Sequence, residues 1–237
     1  MSDREAAAVP EDPRDWAPMR AYRGRRTFEI NDPVVEPLWS GTRVLAHLAV
    51  RSVAERSTVV ALIEELGADL APELPDLAQA IATSFTALDA VVDGVISRQV
   101  TLDGIGAAAI PEVRSRPTEM FVRSSLDFDV SARGPTADPA AQVEPVDGFI
   151  AVDLLRVDGT SLLDVPLLER KRQLESVIIP DRLVRVSGHV RPPIDSWVAT
   201  WKAMGLRGGI LKAANSRYHP NDDTIEWRVV ERLNRRG

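Results

Sequence analysis

Residues 149–159 read FIAVDLLRVDG, a nearly continuous apolar run that stops at an Asp-Gly hairpin signal. A short run of this kind, closed by turn residues, forms a buried strand, and Asp158-Gly159 sends the chain back alongside it. A helix start follows at once: Asp164 is the expected cap and Pro166 falls in the first turn. Leu167, Leu168, Leu174, Val177 and Ile178 are expected on its core side, with Arg170, Lys171 and Arg172 facing water.

The rest of the chain has the same mixed character. Val44–Val50 has strand composition and follows Trp39-Ser40-Gly41-Thr42, which reads as a tight turn. His47 within that strand is expected to be a sheet residue, since no ligand pattern surrounds it. Residues 75–84 open with Pro75 and Asp76 and carry Leu77 and Ile81 on one face, with Phe85 next, a short helix with its start signal. Residues 87–97 read as a buried strand interrupted at Asp93-Gly94, and 131–147, with three prolines, as a surface loop. A second helix is expected from about Pro193 to Gly205, carrying Ile194, Trp197, Val198 and Trp201. Two strands follow near 209–213 and 225–233, separated by the polar turn 219–223. Strands outnumber helices, so the class is α+β with mainly antiparallel sheet.

Composition narrows the chemistry. With 237 residues the chain is long enough for one large domain, and residues 1–17, acidic and rich in Ala and Pro, are expected to be a disordered lead-in to a domain over 18–237. There is no cysteine, so neither a disulfide nor a thiolate metal site nor a cysteine nucleophile is available. No apolar run is long enough to span a bilayer and the N-terminal stretch lacks a signal-peptide core, which implies a cytoplasmic protein with no membrane partner. The net charge of -6 argues against a surface devoted to nucleic acid, although a local basic groove stays open. Lys171, Lys202 and Lys212 are the only lysines among 29 basic residues, so no lysine nucleophile precedes residue 171.

Three ordered segments carry a family resemblance. Residues 36–43 read EPLWSGTR, residues 149–175 read FIAVDLLRVDGTSLLDVPLLERKRQLE, and residues 205–220 read GLRGGILKAANSRYHP. Together they resemble the adenylation (nucleotidyltransferase) domain of ATP-dependent DNA ligases, bacterial end-joining type. The first is similar to the family's Glu-Pro-Lys-x-Asp-Gly-x-Arg. The second is similar to its Phe-x-x-Phe-Asp-Leu-Leu strand, Asp-Gly turn and Pro-Leu-x-x-Arg helix. The third is similar to its Gly-x-Glu-Gly-x-x-x-Lys with a downstream Ser-x-Tyr. Val92-Asp93-Gly94 and Trp227 fall at further expected places.

The resemblance implies a ligase-like, ATP-grasp-like core of antiparallel sheets flanked by helices. It also implies a family chemistry in which a lysine takes adenylate from ATP with the help of Mg²⁺. Here the lysine position holds Leu38, whose side chain has no lone pair to attack phosphorus, so no catalytic residue is expected. The same alignment puts Ser40 at an aspartate, Val95 and Arg207 at glutamates, Val229 and Glu231 at lysines and Val152 at an aromatic residue. Glu36, Gly41, Arg43, Phe149, Asp153, Gly208, Lys212 and Tyr218 match. The nucleotide- or phosphate-binding residues implied by resemblance are therefore Glu36, Arg43, Phe149 and Lys212, with no metal site and no cofactor expected, whereas the family uses ATP and Mg²⁺. If Leu38, Val95, Val152 and Val229 converge, they are expected to fill the cleft in part and leave Arg43 and Lys212 at its rim, near an exposed phosphate.

The resulting expectation is a degenerate ligase-like protein that acts by binding DNA ends or a DNA-repair protein. The alternatives are an active ligase or nucleotidyltransferase with a displaced nucleophile, for which Lys212 is the candidate, and a protein-interaction scaffold without nucleotide. The chain ends soon after Trp227, where the family continues into an oligonucleotide-binding-fold domain, and that domain is not expected here.

Overall fold

The computed structural model describes residues 11–24, 29–52, 57–98, 147–194, 197, 201, 206 and 208–230. Ten strands and two α-helices stand among them. A six-stranded sheet has the path β4 (Ser57–Glu64), β3 (Thr42–Ser52), β5 (Asp89–Ser97), β6 (Gly148–Val157), β7 (Thr160–Ser161), and β8 (Val184–Val186) pairs β6 off that path. A four-stranded sheet has the order β1 (Arg20–Tyr22), β10 (Asp223–Val230), β9 (Gly209–Ala213), β2 (Pro33–Pro37). β1 runs parallel to β10 and β8 parallel to β6; the other pairings are antiparallel.

Alternation along the central strands explains the layering. Val44, Ala46 and Leu48 of β3 and Ala90 and Val92 of β5 point into one core with α1 (Pro75–Ser84) and α2 (Leu167–Val177). Leu45 and Val91, one residue out of phase, point to the other face, where Val34, Tyr218 and Trp227 close a second core under the smaller sheet. Both faces are covered, which is why FIAVDLL is apolar on both faces except at Asp153, rather than alternating. Trp16, from the end of the expected lead-in, is buried in that second core, and residues 1–10 lie outside the described residues.

α1 occupies the expected residues, with Pro75 in its first turn and Leu77 and Ile81 buried. α2 departs from expectation in two ways. It begins at Leu167 with Pro166 as its cap, and no side chain, that of Asp164 included, bonds its first amides. Arg170 and Lys171 do not face water: they are 0% and 1% exposed and point at the large sheet. The strand over 87–97 is continuous from Asp89, and Asp93-Gly94 is a register shift against β6 rather than a break. Gly94 is needed there, because a Cβ would stand 2.3 Å from the Phe149 ring. The loop over 131–146, most of the helix expected over 193–205, Arg207 and the strand end beyond 230 lie outside the described residues.

Candidate functional site

A cavity of about 560 Å³ opens between the two sheets. The turn after β2 delivers Leu38 and Trp39 to it, β5 and β6 deliver Val95 and Val152, and β9 and β10 deliver Ile210, Lys212, Trp227 and Val229. The tight turn at Ser40-Gly41 holds this wall in place. Gly41 has φ +146, and a Cβ there would lie 2.0 Å from the Ile96 carbonyl oxygen. The four aliphatic positions Leu38, Val95, Val152 and Val229 converge as expected, but they line the cavity instead of filling it.

Beneath this wall lies a buried charge cluster. Glu36 is 1% exposed, and its Oε1 lies 3.0 Å from both Lys171 Nζ and Lys212 Nζ. Lys171 also donates to the Val152 carbonyl at 2.9 Å. Lys212 Nζ sits 4.0 Å from the centre of the Trp227 ring, a cation–π contact. Burial pushes the Glu36 carboxyl up, but the two ammonium groups outweigh it and hold the group below its ordinary range. Burial pushes the Lys212 amine down, and Glu36 only partly opposes this because Lys171 repels it. Lys212 therefore sits on the cavity floor, 0% exposed, and not at the rim.

Two further ion pairs frame the cluster. Arg43 grips Asp93 with both prongs, Nε to Oδ1 at 3.0 Å and an Nη to Oδ2 at 2.5 Å. Tyr218 donates its hydroxyl to Asp93 Oδ2 at 2.8 Å and accepts from the Met19 amide. Burial and the neighbouring Asp93 charge push the phenol well above its usual range, so it remains a donor. Arg170 holds Asp153 in the same two-pronged way, at 2.9 and 2.8 Å, and also donates to the Ser216 carbonyl. Asp93, Asp153 and Glu36 thus all face cations of this chain. No cluster of three metal-ligating side chains occurs among the described residues.

Of the four residues singled out in the sequence, Glu36, Arg43 and Lys212 line one cavity and Phe149 does not. Phe149 is fully buried in the helix-side core against Gly94. It stands three positions before Val152, so the two side chains leave β6 on opposite faces and only Val152 reaches the cavity. Arg43 is partly exposed, 31% of its side chain, yet its donors are turned inward to Asp93. The sequence reading missed Arg170 and Lys171 as parts of the site. Their spacing from Leu167 and Leu174 placed them on the buried face, and charge alone argued otherwise.

No protein-family model and no curated protein sequence matches the chain. Solved structures do. The ligase domain from M. tuberculosis LigD is 23% identical with a TM-score of 0.58, over 93% of this chain and 60% of that one. A mycobacterial DNA ligase D, solved in complex with ATP and MES, is 23% identical with a TM-score of 0.60, over 94% and 62%. This chain therefore spans about three fifths of the length of these proteins. The likeness establishes the fold: a mixed α+β, DNA ligase-like nucleotidyltransferase fold.

Proposed function

We propose that this chain is a ligase-fold domain that forms no covalent nucleotide adduct and acts by binding, at DNA ends or on a DNA-repair protein. The observation that carries this reading is the pairing of Leu38 in the cavity wall with Lys212 on its floor. Leu38 has no lone pair, and Lys212, the only lysine lining the cavity among the described residues, is held between Glu36 and the Trp227 ring. Nucleotidyl transfer needs a free nucleophile and cations aimed at the moving phosphoryl group. Here the cations are aimed at carboxylates of the same chain.

Binding to DNA ends would fall to the cavity mouth. Arg20 is 46% exposed and pairs with Asp223 and Glu65, which are more exposed still. Such surface pairs are worth at most about 1 kcal/mol, so a phosphate can compete for the guanidinium. Contact through so few cations is weak, salt-sensitive and blind to sequence. Fluorescence anisotropy on a 5′-phosphorylated nicked duplex, over a salt series, tests this. Binding at low salt that fades as salt rises and weakens in Arg20→Ala supports DNA ends as the partner. No binding at low salt moves the reading to a repair protein as the partner, without nucleotide.

One observation favours a second reading. The Lys212 amine is pushed below its ordinary pKa in a nucleotide-sized cavity, as a displaced nucleophile would be. Under that reading the chain is an active nucleotidyltransferase, and an adduct forms on Lys212.

A further inference from the structure

The charges around the cavity do not balance evenly. Asp93 answers Arg43 and Asp153 answers Arg170, one for one. On the floor, two ammonium groups, Lys171 and Lys212, share the single oxygen Glu36 Oε1. Lys171 fills out its shell with the Val152 and Ser187 carbonyls. Lys212 Nζ makes no aligned hydrogen bond, although it is buried and its side chain lines the cavity. An excess positive charge with unfilled donors, kept from water, is stabilised by an anion that brings acceptors.

The surroundings restrict what that anion is attached to. Leu38, Val152, Ile210 and Val229 give the chamber apolar walls, and its volume of about 560 Å³ suits a small molecule. Glu65 and Asp223 at the mouth both pair with Arg20, so the surplus charge that a ligand meets inside is the single one on the floor. One negative charge on an apolar body matches that floor and those walls.

We infer that the cavity is a binding site for an amphipathic monoanion, a carboxylate at the end of a hydrocarbon or aromatic body. The carboxylate meets Lys212 on the floor, and the body lies along Leu38, Val152 and Val229. The carboxylate is held on the floor of the cavity, beneath the mouth where Arg20 stands, and its binding is measured without DNA or a repair protein.

The test titrates the full chain with decanoate, with decanol and with acetate, followed by the emission of the cavity tryptophans Trp39 and Trp227. Decanoate is expected to bind in the micromolar range, decanol about tenfold more weakly, and acetate without saturation. Lys212→Met leaves the Glu36–Lys171 pair in place, and it is expected to bind acid and alcohol equally. Val229→Asp, at a half-buried wall position, is expected to bind neither. Equal affinity for acid and alcohol in the unaltered chain would overturn the inference. So would a Lys212→Met protein that keeps the preference, or a Val229→Asp protein that binds decanoate as the unaltered chain does.

Discussion

Asp93 and Asp153 stand directly opposite each other on β5 and β6, both 0% exposed. Like charges so placed repel across the ladder, and each is tolerated only because an arginine grips it with two prongs. Arg170 is the more critical of the two, because its side chain is fully buried whereas that of Arg43 is not. Arg170→Met strands the Asp153 charge beside Asp93 and is expected to cost about 3–5 kcal/mol in urea denaturation. A loss under about 1 kcal/mol would mean that the pairing is not structural.

Glu36→Gln removes the carboxylate that the buried Lys171 and Lys212 ammonium groups share. It is expected to destabilise the fold by about 3–5 kcal/mol at neutral pH. Adding Lys212→Met removes one of the stranded charges, so the double variant is expected to be more stable than Glu36→Gln alone. A double variant less stable than the single one would show that Lys212 contributes by packing on Trp227 and not through its charge.

Leu38 is half-buried on the cavity wall, and its amide donates to the Gly208 carbonyl, a bond that its side chain does not affect. Leu38→Lys is therefore expected to fold, with a loss of about 1–2 kcal/mol for the buried aliphatic surface. It is not expected to seal a nicked duplex, since Val95, Val152 and Val229 still stand around it. Ligation by this single variant in a gel assay would show that the other replacements matter less than argued.

His47 provides a pH handle that acts above the range of Glu36. Burial, helped by Arg14, lowers its pKa to about 4, below the ordinary 6.5. The folded state then binds fewer protons than the unfolded chain between those values, so stability falls as pH drops from about 6.5 towards 4. Glu36 acts lower: its carboxyl is held below the ordinary 4.5, and its contribution fades only as pH falls beneath that value. Thermal melts of His47→Gln against the unaltered chain over pH 4–7 separate the two. The variant is expected to lose much of the slope in the upper part of this window, and an unchanged slope would remove His47 as its source.

The sequence was most readable where spacing and residue type agreed. Pro75, Leu77 and Ile81 marked α1 to the residue, and the Asp158-Gly159 hairpin joined β6 to β7 as expected. The segment EPLWSGTR pointed to the cavity, and Leu38, Glu36 and Arg43 all line it. What was misread involved partners far away in the chain. Arg170 and Lys171 belong to the buried stripe of α2 with Leu167 and Leu174, yet a charged pair reads as solvated until Asp153 and Glu36 are brought beside it. Phe149 was misplaced for a different reason. Which face a strand residue takes depends on register, and β6 shifts register against β5 near Asp93-Gly94, which composition does not reveal.

The central claim is that this ligase-fold domain does not carry a nucleotide covalently. Incubating the full chain with α-labelled ATP and Mg²⁺ or Mn²⁺, then separating it under denaturing conditions, tests it most directly. The account predicts no label on the protein at any lysine. Label that survives denaturation and maps to Lys212 would contradict it and make the chain a nucleotidyltransferase with a displaced nucleophile.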